Sequence, residues 1–173
     1  GAVKLGVSEK DIDLDILLQL KKLFDACPDN IGVYYTRTAD TNPTLDQRVQ
    51  LANKADADIF ISIHNNSSAT GNFTQTSGTQ VMYSESDDSK LSSKKLAKIC
   101  LDEVSESFDS YNRGLLAGDS IYIIRTSKVP VALIEVGFMT NYDELDKLKS
   151  PKYQKKAAQG IYNAIMEAFE EGY

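Results

Sequence analysis

One imidazole and two carboxylates are the residues of this chain whose types and placing could do chemistry together. His64 is the sole histidine, and it stands near the end of the run Asp58-Ile59-Phe60-Ile61-Ser62-Ile63-His64-Asn65-Asn66. That apolar, β-branched stretch predicts a strand buried on both faces, as in the middle of a parallel sheet. Glu135 lies inside a second such run, Val129-Pro130-Val131-Ala132-Leu133-Ile134-Glu135-Val136-Gly137-Phe138. A carboxylate there is desolvated unless something pairs with it. Burial raises its pKa, which suits a general acid or base working near neutrality.

Each of these residues also has a plainer reading. Glu135 could be a strand-end carboxylate accepting backbone or arginine hydrogen bonds, and a lone strand-end histidine is more often structural than a ligand. Glu9, in a helix first turn, ordinarily serves the helix dipole. The three gain meaning from the elements that must position them. Open α/β sheets hold ligands beyond the carboxyl ends of their strands. If the two strands are parallel neighbours, His64 and Glu135 face one crevice, and a helix starting at that edge brings Glu9 to the same side. Glu9, His64 and Glu135 together suggest a hydrolytic zinc site, since catalytic zinc takes three His or Glu-type ligands plus a water. A neighbouring carboxylate then accepts the proton of that water.

The rest of the chain supplies such elements. Gly1 to Val7 reads as a short segment without a strand. Ser8 is placed to cap a helix that carries Ile12, Ile16, Leu17, Leu20, Leu23 and Phe24 at helical spacing and that closes before Pro28. Ile31 to Thr36 reads as a strand on β-branched and aromatic content. Asn42-Pro43-Thr44 introduces a second helix with Leu45, Val49 and Ala52 on one face. After the His64 strand, Asn65 to Gly78 is a long polar loop of the kind that borders functional sites. A strand over Thr79 to Tyr83, a helix over Ser89 to Phe108, a turn at Asn112-Arg113-Gly114 and a strand over Ile121 to Ile124 follow. The Glu135 strand and a helix over Tyr153 to Phe169 complete the order. This alternation predicts a three-layer α/β/α domain with a mostly parallel twisted central sheet, in one domain spanning residues 1–173.

At 42% apolar and 25% charged residues the composition is that of an ordinary globular domain, and the net charge of −6 carries no basic footprint for nucleic acid. No apolar run reaches the ~20 residues that span a bilayer. Cys27 and Cys100 sit in no metal or redox spacing and read as small buried apolar residues.

Along nearly its whole length the chain resembles the zinc-dependent N-acetylmuramoyl-L-alanine amidases of type 3. The resemblance rests on Val7-Ser8-Glu9-Lys10-Asp11, on Thr36-Arg37 with Leu45-Asp46-Gln47-Arg48-Val49-Gln50-Leu51-Ala52-Asn53, and on Ala57 to Asn66. It is completed by Arg113-Gly114 and by Pro130 to Asn141. It implies an extracytoplasmic, cell-wall-associated or secreted enzyme of bacterial cell-wall metabolism. Such an enzyme cleaves the amide between N-acetylmuramic acid and the L-alanine of the peptidoglycan stem peptide. It further implies one Zn²⁺ held by Glu9 and His64, with Glu135 activating the water and with Asn66 and Arg113 on the walls of the substrate groove. An activating protein is not named by it.

One departure qualifies the match. The family opens with a strand and a Gly-His-Gly-Gly turn whose histidine is the first zinc ligand, whereas this chain begins at Gly1-Ala2-Val3 and has one histidine. The expectation is therefore a domain truncated at its N-terminus. The alternatives are a strand supplied by a partner and a non-catalytic peptidoglycan-binding or regulatory relative on the same fold. A metal-free glycosidase using Glu9 and Glu135 is a further competing reading.

Overall fold

The computed structural model describes residues 1–87 and 92–173. In chain order these form β1 (Val3–Lys4), β2 (Val7–Ser8), α1 (Glu9–Asp25), α2 (Leu45–Lys54), β3 (Phe60–Asn66) and β4 (Thr79–Tyr83). They continue with α3 (Ser93–Phe108), β5 (Asn112–Ala117), α4 (Tyr122–Thr126), β6 (Val131–Phe138), α5 (Tyr142–Lys149) and α6 (Pro151–Glu170). The start expected for the third long helix, Ser89, lies outside the described residues.

The four-stranded sheet has the order β3-β6-β4-β5, with β3 parallel to β6, β4 parallel to β5, and β4 antiparallel to β6. It is thus mixed and mostly parallel. Alternation along the strands sends side chains to two apolar layers. Ile134, Val136, Val81 and Tyr83 join α1, α3, α5 and α6 in one, including Ile16, Leu96, Val104 and Ile161. Phe60, Val131 and Leu133 join Val49 of α2 and Ile123 and Ile124 of α4 in the other. Helices on both faces give the expected three layers.

The helices start where side chains can satisfy their first N–H groups. Thr44 and Gln47 form a reciprocal capping box on α2, Ser92 caps α3, and Asn141 Oδ1 accepts from the N–H groups of Asp143 and Glu144 to open α5. α1 begins after Ser8 in extended conformation without a side-chain cap, and Glu9 and Asp11 fill its first turn.

Several local expectations are corrected. Gly1 to Val7 does contain strands: β1 and β2 pair as a small hairpin, turned at Leu5 and Gly6, both with positive φ as in the turns that suit the twist of paired strands. Ile31 to Thr36 is irregular; Val33 and Tyr34 are exposed, and strand preference is a matter of packing surface that this segment lacks. Asn112-Arg113-Gly114 opens β5, where a register shift against β4 mimics a turn signal. Ile121 to Ile124 falls mostly in the helix α4, since a short apolar run does not distinguish strand from buried helix. Leu45 is exposed instead of sharing the buried face of Val49 and Ala52. Among the described strands, β3 lies at the sheet edge instead of in its middle, and Ile61 and Ile63 are half-buried. The helix α5 carries too few apolar residues to announce itself.

The loop between β3 and β4 is anchored on the end of β6. Glu144, 6% exposed, accepts the Gly78 N–H at 2.8 Å and the Phe138 N–H at 2.7 Å. Ser68 N–H and Thr74 N–H bond to Thr140 Oγ1 and O. Gly78 has φ +111°, and a Cβ there would meet Tyr111 O at 2.3 Å. Gly78→Ala therefore costs at least the ~1–3 kcal/mol of a strained backbone position, plus the displacement of Tyr111. Urea unfolding should show a lower midpoint at an unchanged slope.

Candidate metal centre

The parallel β3/β6 pairing sets His64 beside Glu135 in register. Just beyond, the register shifts: Asn65 alone stands against Val136 and Gly137 before Asn66 meets Phe138. Such a bulge at a strand end re-aims the side chains around it. The hairpin β1/β2 delivers the chain into α1 so that Glu9 reaches the same sheet edge from the helix N-terminus. Its Oε1 lies 3.2 Å from His64 Nδ1 and accepts the Asn65 N–H at 3.4 Å, and its Oε2 accepts the Ala2 N–H at 2.7 Å. One outward N–H of the edge strand β3 is thereby satisfied by the site itself. His64 Nε2 lies 3.0 Å from Ser62 Oγ. A proton held on Nε2 toward that hydroxyl leaves the Nδ1 lone pair for a cation, the usual way a neighbour fixes a ligand's tautomer.

Whether these donors suit a metal can be tested on their spacing. Zinc bonds of ~2.0–2.2 Å in tetrahedral geometry set an edge of about 3.4 Å between ligand atoms. The 3.2 Å from Glu9 Oε1 to His64 Nδ1 is close to that edge. Asp13, one helical turn beyond Glu9, brings a further carboxylate: donor atoms of Glu9, Asp13 and His64 all lie within 4.8 Å of one another. Glu135 Oε2 is buried and has no hydrogen-bond partner among the described residues. Three carboxylates thus crowd a single imidazole, an arrangement that a cation would relieve.

The electrostatics follow. Burial pushes Glu135 up to about 7, with His64 opposing and Glu9 adding to the rise. Burial likewise pushes Asp13 up to about 7, against the pull of His64. For Glu9 the burial effect is outweighed by the His64 and Ala2 hydrogen bonds, and its pKa falls. For His64, burial acts downward but the Glu9 hydrogen bond and the charges of Asp13 and Glu135 prevail, and its pKa rises. Glu135, Asp13 and His64 all hold protons more tightly folded than unfolded. The stability they contribute is present at low pH and is lost as pH rises through their folded values. Chelator-treated protein should accordingly melt at lower temperature at pH 8 than at pH 5.5, and saturating Zn²⁺ should narrow the gap.

Of the residues expected on the groove walls, Arg113 lies at the start of β5, on the sheet edge where β3 and β6 end. Its guanidinium stands over the Phe138 ring at 5.2 Å and donates to Ser77 O. Asn66 Oδ1 accepts the Ser67 N–H and its carbonyl accepts from Met139, so the residue shapes the loop start. Neither is in hydrogen-bond contact with Glu9, His64 or Glu135 among the described residues. Cys100 is buried and Cys27 half-buried, and both are free thiols away from this site. Asp13 is not evident from the sequence, because an acid early in a helix ordinarily serves the dipole; the available signal is its position four residues after Glu9, on the same helix face.

Comparison with known proteins adds to this geometry. Residues 1–167 match the N-acetylmuramoyl-L-alanine amidase family. The germination-specific N-acetylmuramoyl-L-alanine amidase of Bacillus subtilis is 31% identical over 186 aligned residues, which take in 99% of this chain and 75% of that protein. Among solved structures, the catalytic domain of the amidase CwlV from Bacillus (Paenibacillus) polymyxa superposes with a TM-score of 0.87 at 31% identity, covering 98% of this chain and 90% of that one. The Clostridioides difficile amidase CwlD, solved in complex with the GerS lipoprotein, gives a TM-score of 0.87 at 29% identity, covering 99% and 92%.

Proposed function

Because the chain belongs to the N-acetylmuramoyl-L-alanine amidase family, whose members are cell-wall hydrolases, we propose that it is a zinc-dependent peptidoglycan amidase. In this reading it hydrolyses the amide between the lactyl carbonyl of N-acetylmuramic acid and the nitrogen of L-alanine. Residues 1–173 act as its catalytic domain, on the outer side of the cell membrane where that substrate lies. The observation that carries the proposal is the Glu9–His64 spacing of a coordination edge, with the unpaired Oε2 of Glu135 on the neighbouring strand.

Glu9 and His64 would supply two of the ion's three protein ligands, with Ser62 orienting the imidazole through Nε2. Bound there, zinc supplies Lewis-acid polarisation of the amide oxygen and an activated water. Glu135 accepts a proton from the attacking water at Oε2 and returns it to the departing L-alanine nitrogen, so the amine leaves neutral. Its apolar surroundings keep that carboxylate basic enough for the task. Arg113 and Asn66 line the groove on the β5 and β3 sides, where the guanidinium suits a stem-peptide carboxylate.

The test is a product assay on purified peptidoglycan. Release of new free L-alanine amino groups, stopped by a chelator and restored by Zn²⁺, is the expected result. New reducing ends insensitive to chelation would make the protein a glycosidase, and muropeptide binding without release would make it a binding module. Either outcome overturns the proposal.

A further inference from the structure

Beneath the Glu9–His64 pair, a second polar contact crosses the same helix–strand seam. Asn65 follows His64 on β3, and its side chain points to the opposite face of the strand, under α1, where the residue is 2% exposed. Its Nδ2 donates to Asp13 Oδ1 at 2.7 Å, while its main-chain N–H donates to Glu9 Oε1 at 3.4 Å. Glu9 and Asp13 are joined by one turn of α1, and His64 and Asn65 by one peptide bond. The contacts therefore close a ring: Glu9 to His64, along the chain to Asn65, across to Asp13, and back along the helix to Glu9.

We propose that Asp13 is a positioning residue of the metal centre. Acting through Asn65, it fixes the first turns of α1 against the tip of β3 at the separation that gives Glu9 Oε1 and His64 Nδ1 one coordination edge. The proposal rests on the reading of Glu9 and His64 as metal ligands. Two donors on different elements hold an ion well only if the elements cannot slide, because the binding energy otherwise goes into ordering them. The β3/β6 ladder is interrupted at Asn65 and resumes at Asn66, so at Asn65 itself the tie across the seam comes from the helix side. The Asn–carboxylate bond suits this, since breaking it strands the buried Asn65 amide away from water. Oδ1 of Asp13, engaged with Asn65, is not the oxygen free to face the ion.

The single histidine makes the experiment direct: Zn²⁺ is titrated into the metal-free chain and the His64 imidazole resonances are followed by NMR. Asp13→Ala and Asn65→Ala should each weaken Zn²⁺ binding by about 10–100-fold, the usual loss for a group one step removed from the metal. The double variant should be no worse than either single one, because both remove the same contact. Asp13→Asn keeps an oxygen for the Asn65 amide and should stay within about threefold of the wild type. Retained imidazole and amide spectra confirm that each variant is folded; if an alanine variant is not, Asn65→Ser and Asp13→Asn carry the comparison. Equal damage from Asp13→Asn and Asp13→Ala would show that the charge itself meets the ion and would overturn the positioning role. So would additive losses in the double variant. Absence of any saturable His64 shift in the wild-type chain would instead overturn the ligand assignment.

Discussion

Glu135→Gln is expected to leave Zn²⁺ binding as it is in the wild type and to lower kcat by about 10²–10⁴-fold, the contribution typical of a positioned general base. Glutamine has the size and shape of glutamate, so the β6 backbone and its register with β3 are untouched, and Glu135 is not assigned as a ligand. What is lost is an oxygen able to take a proton. As the proposed base, the same residue is expected to govern the acid side of the pH profile. In the metal-free site burial, with Glu9 adding and His64 opposing, pushes its carboxyl up to about 7, and the base works only when deprotonated. The rate therefore falls as pH drops through that pKa, and a cation beside the carboxylate draws the limb to lower pH. Profiles of kcat/KM between pH 5 and 8, with metal content measured at each point, should show an acid limb at or below about pH 7 in the wild type. Substantial activity in the glutamine variant would move the base to another group.

The parts of this molecule that could be read from its residues are those where one physical signal dominates. The two β-branched runs around His64 and Glu135 both fold as strands, β6 buried and β3 half-buried at the sheet edge, and their parallel pairing brings the two residues side by side. Helical spacing in α1 and α6 is long enough to be unambiguous. Where signals compete, reading fails. Ile121 to Ile124 is apolar and β-branched yet folds mostly as a helix, because Ile123 and Ile124 find their burial against α2 and the far face of the sheet. Val33 and Tyr34 have strand character but no partner surface, so they stay exposed. Asp13 shows the same limit at the site. An acid so early in a helix ordinarily serves the dipole, and only the packing of α1 on β3 turns it into a half-buried partner of Asn65. Sequence gives the donors; the seam between helix and sheet decides how they are held.

That division of labour sets the second large effect. His64→Ala should weaken Zn²⁺ binding by more than about 100-fold, beyond the 10–100-fold expected for groups that only orient a ligand, and should take activity to background. Ser62→Ala tests the lower tier: the imidazole keeps its place beside Glu9 but loses the 3.0 Å contact at Nε2, so binding should drop within that 10–100-fold range. Metal content by atomic absorption after dialysis against graded Zn²⁺ separates the two. The His64 variant also lacks the imidazole that hydrogen-bonds Glu9 and offsets the charges of Asp13 and Glu135. Its metal-free form should thus lose stability more steeply than the wild type as pH rises toward neutrality, since carboxylates without that counter-charge resist ionising. Normal Zn²⁺ affinity in His64→Ala would mean that the ion, if one is bound, sits elsewhere, and the paired strand tips would then need another purpose.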